Sequence, residues 1–374
     1  MALAEKLKYA REAANLTGAR VREKTGIGGS SLSEFENGKR EPKLNQLQAL
    51  ARLYQRSVAF FLSDAPIPQE TVVWRERPAE DAGAIEGLFL RLCEQYHNLE
   101  LWCGERAQAG LPQVAERSDT FDYGRAESLA KRVHDALQLG DRPGRQLLSV
   151  LEEVWGVKVF HLHFEPTGTA ASTRSERLGL AVLLNAANVR WRRNFDIAHE
   201  LFHLLTWHIF RTDSTGFPCV SMDKEEKLAT CFARNLLMPP EAVRTAISQR
   251  SRAGKISYEA LFDIARQFDV SIEALMFHAH MLYNRPPEEF PDTAAAIEKA
   301  KALAPILEDR EREDTPPAER PDRFRALAVE ALWRGELSIG RFAEYMGISR
   351  QRAIKYVEQE VDACEEIPIA PAGR

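Results

Sequence analysis

Residues 195–205 read FDIAHELFHLL, and this stretch decides how the rest of the chain is read. His199 and His203 stand four apart, so on an α-helix their imidazoles lie one turn apart on the same face. Two ring nitrogens so placed can bind one zinc ion at about 2.0–2.1 Å. Glu200 follows the first histidine directly. From there it cannot easily join the same ligand set, but it can reach a zinc-bound water and take its proton as the water attacks a polarised carbonyl. The helix that carries the pattern is expected over about 188–209, with Asn188 as its cap.

A catalytic zinc takes three protein ligands and keeps one position open. Downstream, DKEEKLATCFARNLLMPP at 223–240 forms a second helix that offers Glu225 and Glu226. Glu226 shares a face with Ala229, Thr230, Ala233 and Leu237, and small residues let two helices approach closely. Glu225 points about 100° away and is the weaker candidate; with Asp223 it reads as a solvated charge at a helix N-terminus. Upstream, VKVFHLHF at 157–164 alternates as a strand, and TAASTR at 169–174 and RLGLAVLLN at 177–185 form two more. His161, His163, His208, His278 and His280 lack ligand spacing and read as surface or core residues.

RRNFDIAHELFHLL followed by EEKLATCFARNLLMP resembles the ImmA/IrrE family of zinc metallopeptidases, over roughly residues 125–285. The resemblance implies a compact zincin-like fold with the metal helix packed on a small sheet. It implies Zn²⁺ held by His199, His203 and Glu226, with Glu200 as catalytic base. Zincins commonly hold peptides by adding a strand to a sheet edge. The hairpin 169–185 is the expected edge, with Thr169 to Thr173 outermost. Two positions depart from the family: Phe202 replaces the usual Gly, and Thr230 replaces the usual Asn.

Composition frames these motifs. The 374 residues carry a net charge of −5. Residues 1–65 hold 11 Lys/Arg against 7 Asp/Glu, a net of +4, which leaves −9 for the remainder. A small basic head on an acidic body excludes a polycation that coats nucleic acid. The N-terminus is too charged for a signal peptide, and no apolar run approaches the length of a membrane span. The five cysteines form no CxxC pair. A cytoplasmic protein without a membrane partner is expected.

Residues 1–65 read as five short helices. REAANLT, GIGGSSLSEFENGKREP and LARLYQRSVAFFL within them resemble the Xre-type helix-turn-helix domain. By that resemblance a recognition helix enters the major groove. Ser30, Ser31 and Ser33 would reach bases, with Lys39, Arg40 and Lys43 near the phosphates. Gly18, Gly28 and Gly29 stand where longer polar side chains are usual, and Glu34 repels the backbone, so readout is expected to be weak.

Five regions follow: the head at 1–65, a linker and helical connector at 66–124, the metallopeptidase domain at 125–285, an exposed linker at 286–321, and a helical, helix-turn-helix-like segment at 322–374. The fold class is α+β, mostly helical. The expected function is a DNA-associated zinc endopeptidase and transcriptional regulator that cleaves a partner protein such as a repressor. The alternative is a non-catalytic Xre-type regulator or antitoxin whose zincin-like domain acts as a sensor. The sequence leaves the oligomeric state open, a dimer included.

Overall fold

In the computed structural model the described residues are all but 1–2, 15, 55, 57, 64–70, 79–80, 106–110, 113, 116, 166–168, 176, 211–221, 284–297, 299–301, 303–316 and 364–374. The fold is α+β and mostly helical, as the sequence indicates. Most of the expected linker 286–321 lies outside the described residues, as does Cys219.

The head consists of α1 (Leu3–Ala13), α2 (Gly18–Thr25), α3 (Gly29–Glu36), α4 (Leu44–Leu53) and α5 (Val58–Leu62). Thr17 caps α2 by accepting from the Arg20 amide, and Gly26 ends it at φ 71°, a left-handed turn that favours glycine. Leu7, Val21, Leu32, Phe35, Leu50, Tyr54 and Phe61 close one core. Two polar ties brace it. The buried Lys6 ammonium donates to the Phe60 carbonyl at 3.0 Å and to Ser63 Oγ at 2.9 Å. Arg11 forks onto Glu36 at 2.7 and 3.0 Å, joining α1 to α3.

The sheet has four strands: β1 (Val72–Trp74), β2 (Lys158–Leu162), β3 (Ala170–Ser175) and β4 (Gly179–Asn185), in the order β1-β3-β4-β2. β3 and β4 form the expected antiparallel hairpin, and β2 runs parallel to β4. One expectation is overturned here: the Thr169–Thr173 edge is not free. β1 pairs antiparallel along it, Val72 with Thr173, Val73 with Ser172 and Trp74 with Ala171. Thr173 donates to the Thr71 carbonyl at 2.8 Å, and Thr169 donates to the Glu76 carbonyl at 2.6 Å. Both threonines are fully buried. β1 comes from the stretch read as linker, because three residues are too few to display a strand's period of two. Trp74 pins it, with its ring edge-on to Phe164 and its Nε1 donating to Glu86 at 2.7 Å.

The metal helix, α9 (Arg190–Phe210), lies across β3 and β4. α7 (Tyr123–Ala136), α8 (Pro143–Trp155) and α10 (Met222–Leu237) pack with it, followed by α11 (Pro240–Arg250), α12 (Tyr258–Phe268) and α13 (Ile272–Tyr283). Phe202 explains its departure from the family pattern. It is fully buried and meets Phe121, Phe210 and Phe232 at ring distances of 5.8, 6.1 and 5.6 Å. An aromatic cluster fills the space a Gly would leave.

Helix α6 (Ala82–Cys103) ends at Gly104, φ 71°. Residues 94–106 group with 320–374 as a separate compact unit, which redraws two boundaries of the sequence reading: the 66–124 connector is divided, and the 322–374 segment gains part of it. This unit contains α14 (Asp322–Trp333), α15 (Ile339–Met346) and α16 (Arg350–Ala363). Tyr96 packs edge-on against Phe324 at 5.4 Å, and Arg323 bonds Glu100 at 2.7 Å. Leu337, Phe342, Ala343, Tyr345 and Ala353 are buried, whereas Ile354 is exposed. Among the described residues no helix is long and apolar enough to cross a membrane.

Candidate metal centre

The middle of α9 is buried on every side, an unusual setting for a polar triplet. His199 and Glu200 are 0% exposed and His203 is 1% exposed. Their donor atoms lie within 4.8 Å of one another. Helical spacing alone brings these three together. The fourth group needs a second element, and α10 supplies it, with buried Ala229 and Ala233 allowing close approach. Glu226 Oε2 is 2.9 Å from His199 Nε2, and its Oε1 is 3.3 Å from His203 Nε2. Ligands around a tetrahedral zinc with bonds of about 2.0–2.1 Å sit roughly 3.3 Å apart. Glu226 thus reaches both imidazoles at separations of that order. The Glu226 side chain is 28% exposed, so it forms the solvent side of the cluster while Glu200 lies inside.

The electrostatics favour a cation. Burial lowers the His199 pKa to about 4, so the imidazole is neutral, the form that binds metal. Burial also acts to lower His203, but its bonds to Glu225 and Glu226 and the Glu200 charge raise it to about 9. For Glu226, burial is outweighed by the two histidines, which hold the carboxyl well below the usual range. Burial raises Glu200 to about 7, with the Glu226 and Asp196 charges adding to the rise and His203 opposing it. Both Glu200 oxygens and His199 Nδ1 are buried without a hydrogen-bond partner. Carboxyl and imidazole groups together form the kind of donor set that takes up a divalent ion.

Sequence reading missed two features. Glu225 is buried, not solvated, and its Oε1 lies 2.7 Å from His203 Nδ1. The available signal was the second ring nitrogen: a metal-bound histidine needs a partner there, which a residue off the ligand face can provide. Arg75, just past β1, donates to Asp196 at 3.2 Å, while Arg192 forms an ion pair with the same oxygen at 3.1 Å. Both guanidiniums lie over the Phe195 ring, whose neighbour is His199. Asn188, expected as a cap, instead donates to Asp196 at 2.9 Å. Burial raises Asp196 to about 6 against the pull of these partners.

With this geometry in hand, comparison with known proteins separates the chain into two domains. Residues 2–59 match the profile of a helix-turn-helix domain, and residues 152–280 match that of a peptidase family described as an IrrE N-terminal-like domain. The chain joins a helix-turn-helix domain to an IrrE-like domain. The IrrE-like domain starts in α8 and ends in α13, so it contains His199, Glu200, His203, Glu225 and Glu226. No curated protein matches the chain. Among solved structures, the apo form of ComR from S. thermophilus is 14% identical, covering 83% of this chain and 96% of its own, at a TM-score of 0.16. At that score the likeness bears on neither fold nor function.

In the helix-turn-helix domain, Ser30, Ser33, Lys39, Arg40 and Lys43 are exposed and Ser31 is half-buried. Several are already engaged. Arg40 folds back over the Phe35 ring at 5.1 Å, pairs with Glu34 at 3.4 Å and donates to Ser31 at 3.3 Å. Asn37 donates to the Ser33 hydroxyl at 3.2 Å. Glu34, which the sequence marked as repulsive to DNA, is thus partly neutralised by Arg40.

Proposed function

We propose that the chain is a zinc-dependent endopeptidase carried on a DNA-binding head, acting on a partner protein such as a transcriptional repressor. The reading rests chiefly on the convergence of Glu226 on the Nε2 atoms of both histidines, with Glu200 one residue from His199. His199, His203 and Glu226 would hold Zn²⁺. When bound, zinc polarises a peptide carbonyl and acidifies water. Glu200 takes the proton of the attacking water on its carboxylate and returns it to the leaving amine. Its oxygens are buried and no donor occupies them, so both are open to accept that proton. In the head, Ser30, Ser31 and Ser33 face the bases while Lys39, Arg40 and Lys43 lie along the phosphates.

The full burial of Glu200 favours a second reading, in which the IrrE-like domain of a regulator or antitoxin senses a ligand without hydrolysis. One experiment separates the two. The zinc-loaded chain and its Glu200→Gln variant are incubated with the transcriptional repressors of the source cell, and fragments are followed by mass spectrometry. The peptidase reading expects cleavage by the wild type alone. Cleavage by both, or by neither with zinc bound, overturns it.

A further inference from the structure

The two histidines of the centre are not held alike. His199 Nε2 faces Glu226, while its Nδ1 is buried with no hydrogen-bond partner. His203 is held from the opposite side of its ring: Nδ1 hydrogen-bonds Glu225 at 2.7 Å, while Nε2 faces Glu226 Oε1 at 3.3 Å without a hydrogen bond. Glu225 and Glu226 are consecutive on α10, and their side chains leave the helix about 100° apart. That angle lets them straddle one imidazole, which neither could do alone.

We propose that Glu225 is a positioning residue that fixes the tautomer and orientation of His203, and so decides how well this chain holds its metal. The inference rests on the zinc reading above. A carboxylate oxygen accepts from a ring N–H, so the 2.7 Å contact engages Nδ1 and leaves Nε2 as the nitrogen turned toward the metal position. The ring cannot turn without breaking this contact, and at 8% side-chain exposure Glu225 has little water to replace it. A charge placed only to satisfy the dipole of α10 would need neither burial nor a partner. His203 is thus the anchored ligand and His199 the adaptable one.

The test compares zinc affinities of the full chain by competition with a chromogenic chelator, alongside the melting temperature of the metal-free protein. Glu225→Ala is expected to weaken zinc binding about 10–100-fold, the range for removal of such a partner. Glu225→Gln keeps an oxygen that accepts from Nδ1–H, and is expected to recover most of that loss. The exposed Glu241→Ala serves as a control and should bind as the wild type does. If the Ala variant does not fold, Glu225→Asp, which withdraws the carboxylate by one methylene, should show the same loss.

A merely structural role predicts a lower melting temperature with unchanged zinc affinity, and that result overturns the proposal. So does a Gln variant as weak as Ala, because acceptance of the Nδ1 proton would then be irrelevant. A wild-type chain that takes up no zinc removes the metal reading and this inference together. Equal affinities in wild type and the folded Ala variant remove only the role of Glu225.

Discussion

The candidate metal centre and helix α3 of the head are both polar sites, but they are assembled differently. At the centre, His199, Glu200 and His203 from α9 meet Glu225 and Glu226 from α10, and all five side chains are buried or partly buried. In α3 of the head, Ser33 is engaged by Asn37, and Ser31 by Arg40, from the same short stretch. One site is made by convergence of distant segments in low dielectric, where each contact is strong and each orphan expensive. The other satisfies itself locally at the surface, where screening by water and salt weakens each contact. Substitutions should therefore have large effects on the first and graded effects on the second.

The largest effect is expected at Glu200. Glu200→Gln should retain zinc while cleavage of the partner falls by about 10²–10⁴-fold, the range attributed to a positioned general base. Parallel metal analysis and single-turnover cleavage would measure both. Packing beneath the centre comes next. Phe202→Ala should destabilise the fold by about 3–5 kcal/mol, read from chemical denaturation, because the ring is fully buried among three other phenylalanines. A loss under 1 kcal/mol would mean that the aromatic cluster packs loosely and that convergence is less demanding than argued.

A third prediction concerns acid. His278 donates from Nε2 to the Met238 carbonyl at 2.9 Å, and burial, helped by Arg234, lowers its pKa from 6.5 to about 4. His161 is lowered to about 4 by burial, with Arg193 adding to the effect. Between these values the unfolded chain binds more protons at these two histidines than the folded one does. Their contribution to stability should therefore fall as pH drops from about 6.5 to about 4 and level off below, by at most roughly 3 kcal/mol per histidine, against the opposite contribution of the raised Asp196 and Glu200 carboxyls. His278→Gln keeps a donor to Met238 and should flatten that slope in a series of melts.

The smallest effects belong to the head. Lys39→Ala and Lys43→Ala should each reduce the salt slope of DNA binding by about 1, measured by fluorescence anisotropy on a promoter fragment. Arg40→Ala should matter less, since Arg40 already pairs with Glu34 and Ser31. An Arg40 variant weaker than both lysine variants would show that the local contacts open on DNA and would narrow the contrast between the two sites.

What the sequence disclosed follows the same division. Features set within one element were legible: the four-residue histidine spacing, Glu226 on a face of small residues, the β3–β4 hairpin and the five helices of the head. Features set by pairing between elements were hidden. Three residues, Val72–Trp74, carry no strand period, yet they cover the edge of β3. Arg75 meets Asp196 across 121 positions of sequence. Glu225 looked like a surface charge because its partner is the second nitrogen of a ring already assigned to metal. The split of α6, with residues 94–106 grouped with the C-terminal segment, has no local signature.

The account turns on whether His199, His203 and Glu226 act as one ligand set. The most direct test is the zinc content of the purified full chain and of Glu226→Ala by inductively coupled plasma mass spectrometry, after dialysis against a weak chelator. About one zinc per chain is predicted for the wild type, the content of a three-ligand site, and little or none for the variant. A wild type without zinc, or a variant that retains it fully, would contradict the account.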